Sequence, residues 1–172
     1  MSENEETNRV LFDFVDASEI ERWLVVNDNV MGGVSKGGAS PAGDSCLLFS
    51  GSISLENNGG FASIRSQPAD FNLGEFDGIR IRVKGDGRTY QVRLRRDRSL
   101  DGIAFKYVFE TVENKWIELE LPFASFLPTF RGRTLSDVKP LDPADIRQIG
   151  FLIADKEAGP FNLIVDGIVA YK

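Results

Sequence analysis

The chain has 172 residues, of which 42% are hydrophobic and 27% charged, and its formal net charge at pH 7 is -6. This length and composition predict one soluble globular domain and exclude the disordered and fibrous classes. The acidic balance disfavours nucleic-acid binding, and no apolar run approaches the roughly 20 residues that a membrane-spanning helix needs. We expect a single domain over residues 9–172, preceded by a flexible acidic N-terminus at residues 1–8.

The predicted elements along the chain are mostly short strands. They cover residues 10–15, 46–55, 61–65, 79–84, 90–95, 105–111, 116–121, 148–153 and 162–171. Helical periodicity is scarce: Ser18 is expected to cap one brief turn, and Asp142 another with Pro143 at its first position. Many short strands separated by Gly and Asn turns predict an all-β fold, an antiparallel β-sandwich or jelly roll with little helix.

Two segments rich in Asn and Gly interrupt these strands, at residues 27–35 and 56–63. Such residues permit positive φ, so Asn58-Gly59 suits a hairpin turn and Gly32-Gly33 a bulge or reversal. The same residues also suit a rigid polar surface for a partner or a sugar, because loops on sandwiches commonly carry binding. This second interpretation predicts the following binding residues: Asn27, Asp28, Asn29, Met31, Gly32, Gly33, Ser35, Asn57, Asn58, Gly60 and Phe61.

A hairpin is predicted over residues 79–95, with its turn at Gly85-Asp86-Gly87-Arg88. Alternation places Ile81 and Val92 in the core and basic side chains on the opposite face of both strands. Like charges across a ladder repel each other, so this face needs neighbouring carboxylates, such as Glu118 and Glu120, or an anionic partner. The candidate binding residues of this predicted basic stripe are Arg80, Arg82, Arg93 and Arg95.

The chemistry of catalysis is poorly represented in the chain. There is no histidine, which excludes Ser-His-Asp and Cys-His nucleophile arrangements and removes histidine as base or metal ligand. Neither a Gly-Lys-Ser/Thr phosphate loop nor a Gly-x-Gly-x-x-Gly fingerprint occurs. Glu118 and Glu120 share one strand face, a spacing that a solvated strand also shows. We therefore predict that the protein is not an enzyme.

The compartment is predicted from the N-terminus and the cysteine content. Residues 1–8 lack the basic and apolar regions of a signal peptide and the arginines of a mitochondrial presequence. Cys46 is the only cysteine, so no internal disulfide can form and a reducing compartment fits. These features predict a cytoplasmic location.

The motifs, taken in order, resemble those of the complex I intermediate-associated protein family. Trp23, the segment 27–35, the segment 57–65 and Gly85-Asp86-Gly87-Arg88-Thr89-Tyr90 carry the first half of the resemblance. Its second half lies in residues 116–128, in Phe130-Arg131-Gly132-Arg133 and in Gly159-Pro160-Phe161-Asn162-Leu163. The resemblance covers nearly the whole chain.

The resemblance implies a galactose-binding-like jelly roll, a fold shared with carbohydrate-binding modules. It also implies a non-catalytic protein-binding assembly factor or chaperone-like adaptor, whose client is a subunit of a respiratory or other membrane complex. A carbohydrate-binding module is the alternative, and it requires exposed aromatic platforms. Because a presequence and a fused dehydrogenase-like domain are lacking, the chain looks like a free-standing bacterial relative.

Similar jelly rolls often hold a structural calcium ion on oxygen ligands. On that analogy, Asp13, Asp28 and Asp166 are the candidate ligands in this chain. Lone aspartates in loops are more often turn residues, so no calcium site is assigned. No other cofactor is predicted, nor is membrane insertion.

Overall fold

A computed structural model of the chain describes residues 8–96 and 102–172. Thirteen strands run along these described residues: β1 (Arg9–Phe12), β2 (Leu24–Val25), β3 (Lys36–Ala42), β4 (Cys46–Ile53), β5 (Ala62–Arg65), β6 (Gly78–Lys84), β7 (Thr89–Arg96), β8 (Ala104–Glu110), β9 (Trp116–Pro122), β10 (Leu127–Phe130), β11 (Arg133–Thr134), β12 (Ile146–Ile153) and β13 (Gly159–Tyr171). The predicted acidic N-terminus lies, except for Asn8, outside the described residues.

Helical structure in the described chain is brief. It consists of α1 (Ala17–Glu21) and four 3-10 turns at Asp28–Met31, Glu56–Asn58, Phe123–Ser125 and Pro143–Asp145. Asp142 caps the last of these turns by accepting a hydrogen bond from the N–H of Ala144 at 3.0 Å, as predicted. The cap of α1 is Asp16 and not Ser18, because the Asp16 carboxylate accepts from the Ser18 N–H at 2.9 Å.

The strands form two antiparallel sheets that pack face to face. Sheet A has the order β3-β4-β13-β6-β9, and β1 also pairs with β13. Sheet B has the order β11-β10-β8-β7-β12-β5-β2. The all-β antiparallel sandwich predicted from the alternating pattern is therefore confirmed. None of the helices among the described residues has the length and hydrophobicity that crossing a membrane requires.

The core lies between the two sheets and is filled by alternate residues of each strand. Ile81 on β6 and Val92 on β7 are at most 1% exposed, as predicted. Aromatic rings join the sheets at one end, where Phe49 on β4 packs against Phe161 at a centroid distance of 4.8 Å and against Tyr90 on β7 at 6.3 Å. This burial is the main stabilising contribution to a sandwich fold.

The predicted hairpin over residues 79–95 is wrong. β6 pairs with β9 and β13 in sheet A, whereas β7 pairs with β8 and β12 in sheet B. The turn at residues 85–88 therefore passes from one sheet to the other. Alternation alone cannot distinguish the two arrangements, because each strand buries one apolar face in either case. Arg80 and Arg82 consequently do not share a face with Arg93 and Arg95.

Four short or weakly patterned strands escaped prediction, namely β2, β3, β10 and β11. The strand β3 has the sequence Lys-Gly-Gly-Ala-Ser-Pro-Ala, which has low β-propensity. It lies at the edge of sheet A and pairs only with β4 there, so Pro41 is tolerated within it. Tertiary pairing, and not the local sequence, determines that this segment is extended.

Candidate functional site

The two Asn/Gly segments meet at one buried carboxylate. Asp28 is 1% exposed, and its Oδ1 accepts a hydrogen bond from the N–H of Ser35 at 2.9 Å. Its Oδ2 accepts from the N–H groups of Gly60 at 2.7 Å and Phe61 at 3.3 Å. Burial alone would raise the pKa of Asp28, but these hydrogen bonds outweigh burial and hold that pKa below its ordinary value. Asp28 therefore fastens the second segment to the first.

Glycines of both segments make room for this carboxylate. A Cβ atom at Gly33 would lie 2.4 Å from Cγ of Asp28, and a Cβ atom at Gly59 would lie 2.6 Å from its Oδ2. The turn chemistry is as expected, since Asn57 and Asn58 both have a φ of 58°. Asn58-Gly59 closes no hairpin, however, because β4 and β5 belong to different sheets. The glycines serve the packing of the loops against Asp28.

Asn27 ties the first segment to both sheets. Its Nδ2 donates to the carbonyl of Gly37 on β3 at 3.1 Å, and its Oδ1 accepts from the N–H of Ser63 on β5 at 3.3 Å. The hydroxyl of Ser63 also donates to the carbonyl of Val26. These bonds fix the loop to β5 of sheet B and to β3 of sheet A.

The other predicted binding residues of the two segments differ in exposure. Ser35 is buried, and its hydroxyl donates to the carbonyl of Ser54 at 3.1 Å. Asn29, Asn57 and Asn58 are exposed, so their side chains are accessible to a partner. The side chain of Met31 lies outside the described part of the chain. The binding role of the two segments stays a prediction.

The arginines on the outer face of sheet A are neutralised by carboxylates. Arg80 donates to Glu120 at 2.9 Å and lies 3.6 Å from Glu118. Arg82 forms an ion pair with Asp166 at 2.6 Å. The predicted neutralisation by Glu118 and Glu120 is therefore observed for Arg80, and Arg82 is paired with another carboxylate.

The arginines on the outer face of sheet B are arranged differently. Arg93 on β7 and Arg65 on β5 lie on either side of Gly150 on the intervening strand β12, and each is directly opposite Gly150 in the ladder. The three residues line a cleft with a volume of about 20 Å³. Further lining residues are Ser63, Arg95, Gln148 and Leu152. We call this feature the Arg65–Arg93 cleft.

Arg65 and Arg93 lack a counterion among the residues that the structure describes. Burial, and then the nearby charge of Arg95, lowers the pKa of Arg93 to about 10. Burial also lowers the pKa of Arg65. The Nε of Arg93 donates to the amide oxygen of Gln91 at 2.8 Å. Within residues 8–96 and 102–172, neither Arg65 nor Arg93 forms an ion pair.

Arg88, in contrast to Arg65 and Arg93, is an arginine with a structural role. It binds Asp155 through two hydrogen bonds, of 2.6 Å and 2.8 Å, and the two side chains are only 11% and 9% exposed. It also donates to the carbonyls of Gly159 at 3.0 Å and Pro160 at 2.9 Å. Arg88 therefore joins the turn between the sheets to the start of β13.

The aspartates considered as calcium ligands do not come together. Asp13 accepts from the N–H of Val15, Asp28 is held by backbone N–H groups, and Asp166 pairs with Arg82. The described residues contain no group of three or more acidic, Cys or His side chains arranged to hold a metal. These three residues do not fit a shared calcium site.

Sequence reasoning identified Arg93 and Arg95 but missed Arg65, Gln148 and Gly150. A usable signal was present in the predicted strand 61–65, because Ala62 and Ile64 are apolar and Arg65 alternates with them. The alternating pattern does not give the order of the strands in the sheet, and it is this order that places β5 beside β12. The cleft is a product of pairing between segments far apart in the chain.

A family model described as "Complex I intermediate-associated protein 30 (CIA30)" matches residues 12–165. The mouse protein "Complex I intermediate-associated protein 30, mitochondrial" is 28% identical over 184 residues, which cover 95% of this chain and 56% of the mouse protein. A probable counterpart from Caenorhabditis elegans is 28% identical over 143 residues, covering 72% of this chain and 42% of the relative. The chain thus spans about half the length of these relatives.

A solved structure confirms the jelly-roll architecture. The family 11 carbohydrate-binding module of a cellulosomal cellulase of Clostridium thermocellum superposes with a TM-score of 0.74 and 18% identity, over 95% of this chain and 94% of the module. At this identity the likeness establishes the fold alone.

The prediction of a cytoplasmic location is contradicted by the relatives, whose names also give no support to the prediction of a bacterial protein. Those from mouse, Caenorhabditis elegans and Neurospora crassa are all named mitochondrial. The prediction depended on the composition of residues 1–8 and on the single cysteine, Cys46. Neither feature decides the compartment of a chain that spans only part of its relatives.

Proposed function

Because the chain belongs to the complex I intermediate-associated protein 30 family, we propose that it is a non-catalytic, protein-binding assembly factor for respiratory complex I. Its client is a subunit or an assembly intermediate of that complex, and its place of action is the mitochondrion. The names of the mouse and Caenorhabditis elegans relatives support both parts of this proposal. The absence of histidine from the sequence supports a non-catalytic role.

The observation that carries the proposal is the Arg65–Arg93 cleft. An acidic protein that neutralises Arg80, Arg82 and Arg88 internally leaves Arg65 and Arg93 without ion pairs among the described residues. Arginines are enriched in protein interfaces because their planar donors suit carboxylates and backbone carbonyls. We assign the client to the outer face of sheet B on this ground.

The Asn/Gly segments adjoin the same face. Ser63 lines the Arg65–Arg93 cleft and bonds to Asn27, the first residue of the first segment, and to Val26 just before it. The exposed Asn29 and Asn57 are therefore candidates for contacts at the rim of the interface. Loops held by a rigid scaffold lose little entropy on binding, which favours recognition there.

The proposal is tested by affinity purification of the tagged full chain from mitochondria of its own source. The wild-type protein should recover complex I subunits, and Arg93→Gln should reduce that recovery at least about tenfold, a loss of roughly 1.4 kcal/mol in binding. Arg82→Gln is the matched control, since it removes the same charge from the other sheet. If the wild-type protein recovers no complex I subunit, the assigned function is wrong. Equal recovery with both variants would place the client on another surface.

Carbohydrate binding is the alternative, and it is supported by fold likeness only. Sugar-binding sites use exposed aromatic rings as platforms. On the three strands that form the cleft, the aromatic residues are Tyr90 and Phe151, and both are fully buried. The mixed-linked β-1,3-1,4 tetrasaccharide bound by a structural neighbour is the appropriate probe. Calorimetry should detect no binding, and a saturable heat that Arg93→Gln abolishes would favour the carbohydrate function instead.

A further inference from the structure

We infer that the Arg65–Arg93 cleft is a carboxylate-binding site that receives an aspartate or glutamate side chain of the client. The inference rests on the proposed function in one respect only, namely that the carboxylate belongs to the client protein. The chemistry of the site follows from the geometry of three neighbouring strands and can be tested without any client.

The floor of the cleft is bare backbone. Gly150 lies between Arg65 and Arg93, which are two strand spacings apart, so their Cα atoms are separated by roughly 10 Å. A Cβ atom at position 150 would lie 2.4 Å from the carbonyl oxygen of Ile64 and 3.0 Å from Cβ of Arg65. No side chain fits there unless β5 moves. Two long cationic side chains therefore flank an empty position, within reach of one shared anion.

The flanking cations need a counterion. Taking a guanidinium partly out of water is costly unless an opposite charge or hydrogen-bond acceptors replace the lost hydration. Arg80, Arg82 and Arg88 meet this requirement with carboxylates of the protein. Arg93 has only the neutral amide of Gln91, and its lowered pKa reflects the unfavourable environment of its charge. An anion from outside would restore the missing compensation.

The donors left open on Arg93 suit a carboxylate. Gln91 accepts from Nε, and the two terminal nitrogens of Arg93 have no partner within the described residues. Such nitrogens bind the two oxygens of a carboxylate in parallel. The cleft has a volume of about 20 Å³, which suits the end of one side chain. The net charge of -6 disfavours a polyanion such as nucleic acid.

The test is an NMR titration of the ¹⁵N-labelled full chain, in which backbone amides and arginine Nε–Hε groups are observed. The probes are N-acetylglutamate N-methylamide, its neutral glutamine counterpart and inorganic phosphate. We expect the glutamate probe to shift the signals of Arg65, Gly150 and Arg93 with a dissociation constant in the millimolar range, and the glutamine probe to leave them in place. Equal shifts with the glutamine probe would overturn the proposal. A tighter response to phosphate would also overturn it, in favour of a phosphate site.

Variants show whether the two arginines act together. Arg65→Gln and Arg93→Gln should each weaken binding of the glutamate probe at least about fivefold, whereas Arg82→Gln should not change it. Arg93→Lys keeps the charge but loses the paired donors, so its loss should be smaller than that of Arg93→Gln. Unchanged amide spectra away from the cleft establish that each variant is folded. If Arg82→Gln weakens binding as much as Arg93→Gln, the response reports overall charge and the site is refuted.

Failure of this site and failure of the proposed function give different results. A glutamate response that needs both arginines, together with no recovery of complex I subunits, would leave the carboxylate site intact and remove the assigned client. Recovery of complex I subunits without any glutamate response would retain the client and refute the carboxylate chemistry.

Discussion

The carboxylate of Asp28 accepts a hydrogen bond of 2.7 Å from the backbone N–H of Gly60, 32 positions further along the chain. The two Asn/Gly segments are therefore one structural unit and not two separate loops. A charge-assisted bond of this kind is stronger than a neutral one, and here the carboxylate that accepts it is buried. The exposed asparagines of both segments are displayed on a surface that this bond holds in shape.

Asp28→Asn should lower the free energy of unfolding by about 2 to 4 kcal/mol. The new amide group brings a donor against the N–H groups of Gly60 or Ser35, which are donors themselves. Asp13→Asn is the matched control, because Asp13 is exposed and accepts from a single N–H, that of Val15; its loss should be below about 1 kcal/mol. Urea unfolding measures both. A loss no larger than that of the control would mean that Asp28 is not the anchor.

The contribution of Asp28 should depend on pH in one direction. The folded-state pKa of Asp28 lies below the ordinary value of 3.8, so the unfolded chain takes up a proton first as the pH falls. The stabilisation is therefore complete above about pH 4 and is lost as the pH falls through the folded-state pKa. The difference in unfolding free energy between wild type and Asp28→Asn should shrink below pH 4. A difference that stays constant down to pH 3 would contradict this.

Gly33→Ala should destabilise the protein by about 1 to 3 kcal/mol. The added methyl group would lie 2.4 Å from Cγ of Asp28, so the carboxylate or the loop must move. Gly38→Ala is the control, since a Cβ atom at Gly38 has nothing within 4 Å. Thermal unfolding of both variants compares the effects. Equal melting temperatures would show that the loop adjusts without cost.

Arg93→Met should leave the protein as stable as wild type or up to about 1 kcal/mol more stable, because it removes a poorly compensated charge and keeps the aliphatic bulk. Arg88→Met should instead cost about 3 kcal/mol, since it leaves Asp155 unpaired at 9% exposure. Chemical denaturation of the two variants separates a binding arginine from a structural one. A loss above about 2 kcal/mol for Arg93→Met would assign Arg93 to the structure and remove the case for a client there.

The alternating pattern of the sequence predicts which side chains of each strand face the core. It does not predict which strands pair with one another. Alternation in residues 79–84 and 90–95 correctly places Ile81 and Val92 in the core. The same alternation is compatible with a hairpin and with a crossing between sheets, so the four arginines of the two strands were wrongly placed on one face. Strand order depends on contacts between distant segments, which periodicity does not record.

The site was predicted in part for the same reason. The alternation within β7 is sufficient to predict Arg93 as a site residue, whereas the place of Arg65 in the cleft depends on the pairing of β5 with β12. The composition of the Asn/Gly segments correctly indicated turns, but no local pattern could indicate that Asp28 binds the N–H of Gly60. The residues around an aspartate in a polar loop do not indicate whether its carboxylate is buried or exposed.

The position of β12 between β5 and β7 has a consequence for how a client binds. Every strand under the Arg65–Arg93 cleft is hydrogen-bonded on both of its edges, β5 to β2 and β12, β12 to β5 and β7, and β7 to β12 and β8. Backbone amides in such a position exchange with solvent only when the domain opens broadly. The receiving surface is therefore rigid before the encounter, and only arginine side chains lose freedom on contact. In a complex formed at this cleft, any change in backbone conformation therefore occurs in the client.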